Sequence, residues 1–211
     1  LPKRISSAGT TDQRLQAPQG GATPPPAILG QFDGGSDADN GTIAGVTLVP
    51  PDTNGDVGPN NYVQFINVIW TVYDKSGNIV NGPLPGNSPF VGFGGPCETS
   101  NDGDPMVKYD RLADRWVLTQ FAIPNYPNGP SYQCFAVSQT SDPAGAYNLY
   151  EFTIGSQAQG WGDYPKLGIW PDGYYIAFNT FTASSFTGMT SAAFDRTAML
   201  AGGPATMVSF L

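Results

Sequence analysis

The chain has 211 residues, 40% of them hydrophobic and 12% aromatic, enough for a packed core in one large or two small domains. Its formal charge is −8 with nine Lys and Arg, too few basic groups to clamp a phosphate backbone, so nucleic acid is excluded as a partner. There is no histidine, which removes the Ser-His-Asp triad, the Cys-His dyad and histidine-bound zinc, and no apolar run of about 18 residues to span a membrane.

Twenty-seven glycines and 20 prolines among so many aromatics imply short strands joined by tight turns. Residues 1–30 are rich in Ser, Thr, Gln, Gly and Pro and end in Pro24-Pro25-Pro26, which predicts an extended arm. The start at Leu1, without an initiator methionine, is what a mature product leaves once a targeting segment is removed. Residues 31–42 form an acidic, glycine-rich loop that completes this arm and carries the glycosylation sequon Asn40-Gly41-Thr42. From Ile43 the pattern changes to short apolar runs, and Ile43–Val49 is expected as a strand with no partner in its own unit.

Three segments then resemble one another: residues 50–68, 102–122 and 162–181. Each sets an aspartate near a proline before a short strand, a polar turn and an aromatic-rich strand. Aligned on Asp52, Asp104 and Asp163, they recur at intervals of 52 and 59 residues. That period, carrying only strands, is the signature of β-propeller blades, here about 43–100, 101–158 and 159–211. In the middle unit the strands are Met106–Tyr109, Trp116–Ile123, Tyr132–Ser138 and Tyr147–Ile154. In the third they are Lys166–Trp170, Tyr174–Phe181, Met189–Phe194 and Thr206–Phe210, with a short helix between Asp195 as N-cap and Gly202 as terminator. The first unit shows only Tyr62–Val68 and Trp70–Asp74. The fold class is therefore all-β, with four-stranded antiparallel blades and a β-sandwich as the alternative. Three blades do not close a ring, so the remaining blades are expected from a longer chain, a cleaved companion chain or a neighbouring subunit.

The runs PPDTNGDVGPNNYVQ, CETSNDGDPMVKYDRLADRWVLTQF and DYPKLGIWPDGYYIAFN resemble a family of bacterial secreted proteins with sialidase-like β-propeller repeats. The resemblance covers roughly residues 45–205 and implies a fold and an export route, extracellular or at the cell surface. It implies no settled activity. The sialidase Asp-box is absent, and so are an assignable arginine triad and a tyrosine–glutamate nucleophile pair.

In an exported chain Cys97 and Cys134 are expected to form a disulfide, closing a loop of 37 residues. Asp52, Asp104 and Asp163, at the start of each unit's first strand, are expected to ring one mouth of the channel and hold a cation, or to brace turns through backbone N–H groups. Asp52, Asn54 and Asp56 match the first three ligand positions of an EF-hand loop, which then fails at Val57 and Val63. Asp33, Asp37 and Asp39, with Asp102 beside Asp104, complete the calcium candidates. Trp161, between Gly160 and Gly162, is the expected exposed ligand-binding ring. With no nucleophile motif, the sequence reads as a structural or interaction module of the envelope or matrix, and not as an enzyme. The alternative is a carbohydrate-binding or glycoside-cleaving propeller.

Overall fold

A computed structural model describes residues 27–28, 30–155 and 160–210. The chain divides at Gln31, and Phe32–Leu211 is the unit described below. Apart from residues 27, 28 and 30, the expected arm at 1–30 lies outside the described residues.

Twelve strands among the described residues form three separate four-stranded antiparallel sheets, each in simple chain order. The first holds β1 (Asn54–Val57), β2 (Asn61–Ile66), β3 (Ile69–Asp74) and β4 (Ile79–Pro85). The second holds β5 (Met106–Asp110), β6 (Arg115–Ala122), β7 (Ser131–Ser138) and β8 (Tyr147–Ile154). The third holds β9 (Trp161–Trp170), β10 (Gly173–Phe181), β11 (Phe186–Phe194) and β12 (Met207–Phe210). These are propeller-like blades, and they close no ring.

Burial patterns follow each sheet's place. In β6 every residue after Arg115 is buried, because the second sheet packs on both faces. In β10 Tyr174, Ile176, Phe178 and Thr180 are buried and the residues between them are not, which marks one packed face. One core, with Val63, Phe65, Trp70, Trp116, Leu118 and Ala136, joins the first two sheets. Another, with Val117, Phe135, Val137, Tyr174, Ile176 and Phe194, joins the second and third. Trp116 lies so close to Gly58 that a Cβ there would stand 2.7 Å from its ring, so no larger residue fits.

Side chains stitch neighbouring sheets together. Asn54 Oδ1 accepts from the Val107 N–H at 2.7 Å, and Asp56 Oδ2 from the Tyr109 N–H at 2.9 Å. The inner strands β1 and β5 are thereby joined by carboxylate and amide groups where a continuous sheet would use carbonyls. Between the second and third sheets, Asp110 is buried against Tyr174 and Arg196.

Cys97, on α2 (Gly95–Thr99), and Cys134, on β7, form the expected disulfide, with Cα atoms 5.6 Å apart. The Cys97 N–H also donates to Glu151 on β8 at 2.8 Å, so the connection between the first two sheets is pinned to the second at two points. The short helix of the third unit is present as α3 (Arg196–Ala201), with Asp195 accepting from the Ala198 N–H and left-handed Gly202 ending it.

Two expectations fail. Part of the acidic loop at 31–42 is helical, because α1 (here Asp37–Ile43) is closed by a capping box between Ser36 and Asp39. Ile43–Val49 is not a strand. Ile43 ends this helix, Gly45 turns through φ +75°, and residues 46–48 pair with no sheet. Apolar alternation without an edge to pair with does not make a strand.

Candidate functional site

Asp52, Asp104 and Tyr164 share a left-handed backbone, with φ of 41°, 45° and 52°, a conformation also taken by Asn67 and Asp114 in turns elsewhere. Asp52 and Asp104 lie two residues before β1 and β5 begin, and Tyr164 lies in an irregularity within β9, two residues before regular pairing with β10 resumes at Lys166. The structural repeat therefore aligns Asp52, Asp104 and Tyr164, not Asp163. The alignment on aspartates was one residue off in the third unit. The clue was the shared proline of Asp104-Pro105 and Tyr164-Pro165, which aligns the two units one residue later than their acids do. Aspartate tolerates the left-handed region, but tyrosine is a costly occupant, and such strain concentrates at functional sites.

The three equivalent triplets Asp52–Thr53–Asn54, Asp104–Pro105–Met106 and Tyr164–Pro165–Lys166 line one cavity of about 270 Å³, at the start of β1 and β5 and within β9. Asp104 Oδ2 accepts from the Tyr164 N–H at 2.8 Å, which holds Tyr164 in its strained conformation. The Tyr164 side chain is 56% exposed, and the Lys166 ammonium stands 3.1 Å from its ring centroid.

Burial pushes the Asp104 carboxyl up to about 7. The Tyr164 N–H pulls the other way, while a hydrogen bond to the neighbouring Asp163, which accepts, and the charges of Asp163 and Asp52 raise it further. Asp104 is thus a carboxylic acid able to carry its proton near neutrality, with two other acids beside it. That is the environment of a proton donor.

The other expected ligands have different partners. Asn54 and Asp56 hold the second sheet, as above. Asp102 accepts from the Ile123 N–H at 2.6 Å. Asp39 caps Ser36, and Asp37 accepts from Asn40 Nδ2 at 3.0 Å. Asp33 lies on the exposed approach to α1. Among the described residues, no three His, Cys, Asp or Glu side chains form a ready metal-holding group. Asn40 is fully buried, leaving its Nδ2 no room for a glycan where it stands.

Trp161 is not on an exposed loop. It opens β9, half-buried, with its ring 5.3 Å from Tyr126 and 5.5 Å from Phe181. Its flanking glycines permit close backbone approach, not display: a Cβ on Gly160 would collide with the Phe181 carbonyl. Sequence reasoning missed Tyr164 and Lys166, whose only signal was the proline between them.

No protein-family model matches the chain, so the sialidase-like family is not supported by one, and no curated protein matches it. Among solved structures the chain is similar to an exo-beta-1,3-galactanase from Clostridium thermocellum, at 11% identity and a TM-score of 0.36. The match covers 79% of this chain, which spans 59% of the galactanase chain. A likeness of this size leaves fold and chemistry to the chain's own geometry. That protein is an enzyme, where the sequence reading expected a non-enzymatic module. No helix among the described residues is long and apolar enough to cross a membrane.

Proposed function

We propose that the chain is a carbohydrate-active protein whose site is the cavity that Asp52, Asp104 and Tyr164 line beside the inner strands. The observation that carries this is Asp104, a carboxyl with its pKa raised to about 7 beside Asp163 and Asp52. Glycosidic bond cleavage needs one carboxyl still protonated at working pH to donate to the leaving oxygen, and a second, ionised one to act from the other side. Asp104 suits the first role. The exposed Tyr164 ring offers a face on which a sugar's C–H surface stacks, and Lys166 beside it offers a donor for hydroxyl groups. We place this activity outside the cell, where the Cys97–Cys134 disulfide persists.

The test is hydrolysis of a panel of aryl glycosides and β-linked oligosaccharides, galactan included, by the wild type and Asp104→Asn. Turnover that falls about 10²-fold or more in the variant, with glycan binding retained, supports the reading. Turnover equal in both overturns it.

Calcium is a second proposal for the same cluster. Burial chiefly keeps the proton on Asp104, and the added repulsion from Asp163 and Asp52 is relieved by a divalent ion, provided Asp52, Asp104 and Asp163 draw together as oxygen ligands. A Tm lowered by chelator supports it, and an unchanged Tm removes it.

A further inference from the structure

The three sheets stack in one sense, and register fixes which face of each looks along the chain. Tyr62, Trp116 and Tyr174 hold equivalent places, opposite Val57, Tyr109 and Ile169 on the inner strands. Each points back toward what precedes it. Trp116 lies in the core shared with the first sheet and Tyr174 in the core shared with the second. Tyr62 meets Phe32, with ring centroids 6.3 Å apart. The next residue on each strand points forward. Val63 is buried in the first core and Val117 in the second, both at 0% exposure. Their counterpart Tyr175 is 40% exposed, and no described element packs on its face of the third sheet.

Around Tyr175 runs a groove of about 370 Å³ lined by Gly168, Ala177, Ser191 and Ala193 and bordered by Phe210. Lys166, at one edge, is the one charged residue lining it. Register sets Ser191 and Ala193 where the second sheet carries Phe135 and Val137, both buried against the third sheet. The third sheet is hollow where the second is filled, so whatever seats there brings its own bulk.

We infer that this face is a docking surface for a fourth four-stranded sheet of the same repeat, seated by the backward-pointing aromatic ring of its second strand. Both sheet interfaces within the chain join a forward face to a backward face through such a ring. A second copy of this chain cannot offer its first sheet in that way, because that sheet's backward face already carries Phe32 and the Gly35–Gln64 hydrogen bond. The facing partner is uncharged and mostly apolar, like the backward rows Trp116, Leu118, Gln120 and Tyr174, Ile176, Phe178.

The experiment compares carbene footprinting and light scattering of the 211-residue chain with those of the same chain extended after Leu211 by a second copy of residues 86–158. The expected result is a monomer labelled at Tyr175 and Phe210, with labelling that falls several-fold in the extended chain and returns when Ala193→Glu is added. Three results overturn the inference. One is protection of these residues in a dimer of the short chain, which assigns the face to a second copy. Another is protection in the monomer that disappears on deleting residues 1–26, which assigns it to the chain's own leading segment. The third is unchanged labelling in an extended chain whose four cysteines are all paired. Independently of whether the added sheet folds, Ala193→Glu in the short chain is expected to leave Tm unchanged, and a marked drop overturns the claim that the face is free.

Discussion

Arg196 grips Asp110 with two bonds, Nε to Oδ2 at 2.7 Å and Nη2 to Oδ1 at 3.1 Å, across 86 positions of sequence. Asp110 ends the inner strand of the second sheet and is fully buried, and Arg196 opens α3 in the third. The Tyr174 hydroxyl donates to the same carboxylate at 3.0 Å, and the Pro171 carbonyl takes a further guanidinium proton at 3.1 Å.

Removing one partner of this pair leaves a buried charge alone. Asp110→Asn and Arg196→Met are each expected to cost about 3–5 kcal/mol in urea unfolding, and Asp110→Leu with Arg196→Met to recover a good part of it. Burial pushes the Asp110 carboxyl up, but the Arg196 and Tyr174 bonds outweigh it and hold it below the usual range. Its contribution is therefore present above the ordinary carboxylate pKa and lost as pH falls through the lower, folded value.

Asp104 has the opposite sign. With its folded pKa raised to about 7, the native state binds a proton that the unfolded chain releases near pH 4. Stability from this group is present below the unfolded value and is lost as pH rises from about 4 to about 7. The slope sums to on the order of 2 kcal/mol once solvent screening of a part-exposed group is allowed for. Urea midpoints across that range should decline for the wild type and flatten for Asp104→Asn.

Tyr164 bears the cost of a left-handed backbone. Tyr164→Asn, which tolerates that conformation, is expected to raise stability by up to about 1 kcal/mol while weakening glycan binding. A thermal melt beside a glycan titration checks both halves, and a destabilised variant would show the strain to be offset by ring contacts.

The Cys97–Cys134 bond closes 37 residues. Replacing both cysteines by alanine is expected to cost about 3–4 kcal/mol by chain entropy. Because α2 has a second tether at Glu151, the loss should grow when Glu151→Gln is added.

How much of this was legible depended on how strands announce themselves. In the second sheet, aromatic and β-branched runs lie between turns at Asp110–Asp114 and Asp142–Gly145, and sequence reading placed all four strands within one residue. In the first sheet β1 and β4 were missed. Asn54-Gly55-Asp56-Val57 is made of turn formers, and β4 contains Gly82 and Pro83. Asn54 and Asp56 serve there as acceptors for a neighbouring strand, a tertiary use that local propensity does not encode. Asp52 and Asp104 were found as a pair because their spacing repeats. Tyr164 was not, because a tyrosine with positive φ looks in sequence like any other aromatic beside a strand.

The stitching by Asn54 and Asp56 gives assembly a direction. Both acceptors belong to the earlier sheet and both donors to the later one, and Asp104 repeats the step toward Tyr164. Synthesis delivers the units in that same order, so each new inner strand emerges beside a finished neighbour whose acceptors already stand in place. A circular permutant that made the third sheet first would offer the Tyr164 N–H before the carboxylate meant to receive it. The chain is laid down like courses of masonry, each cut to the one beneath.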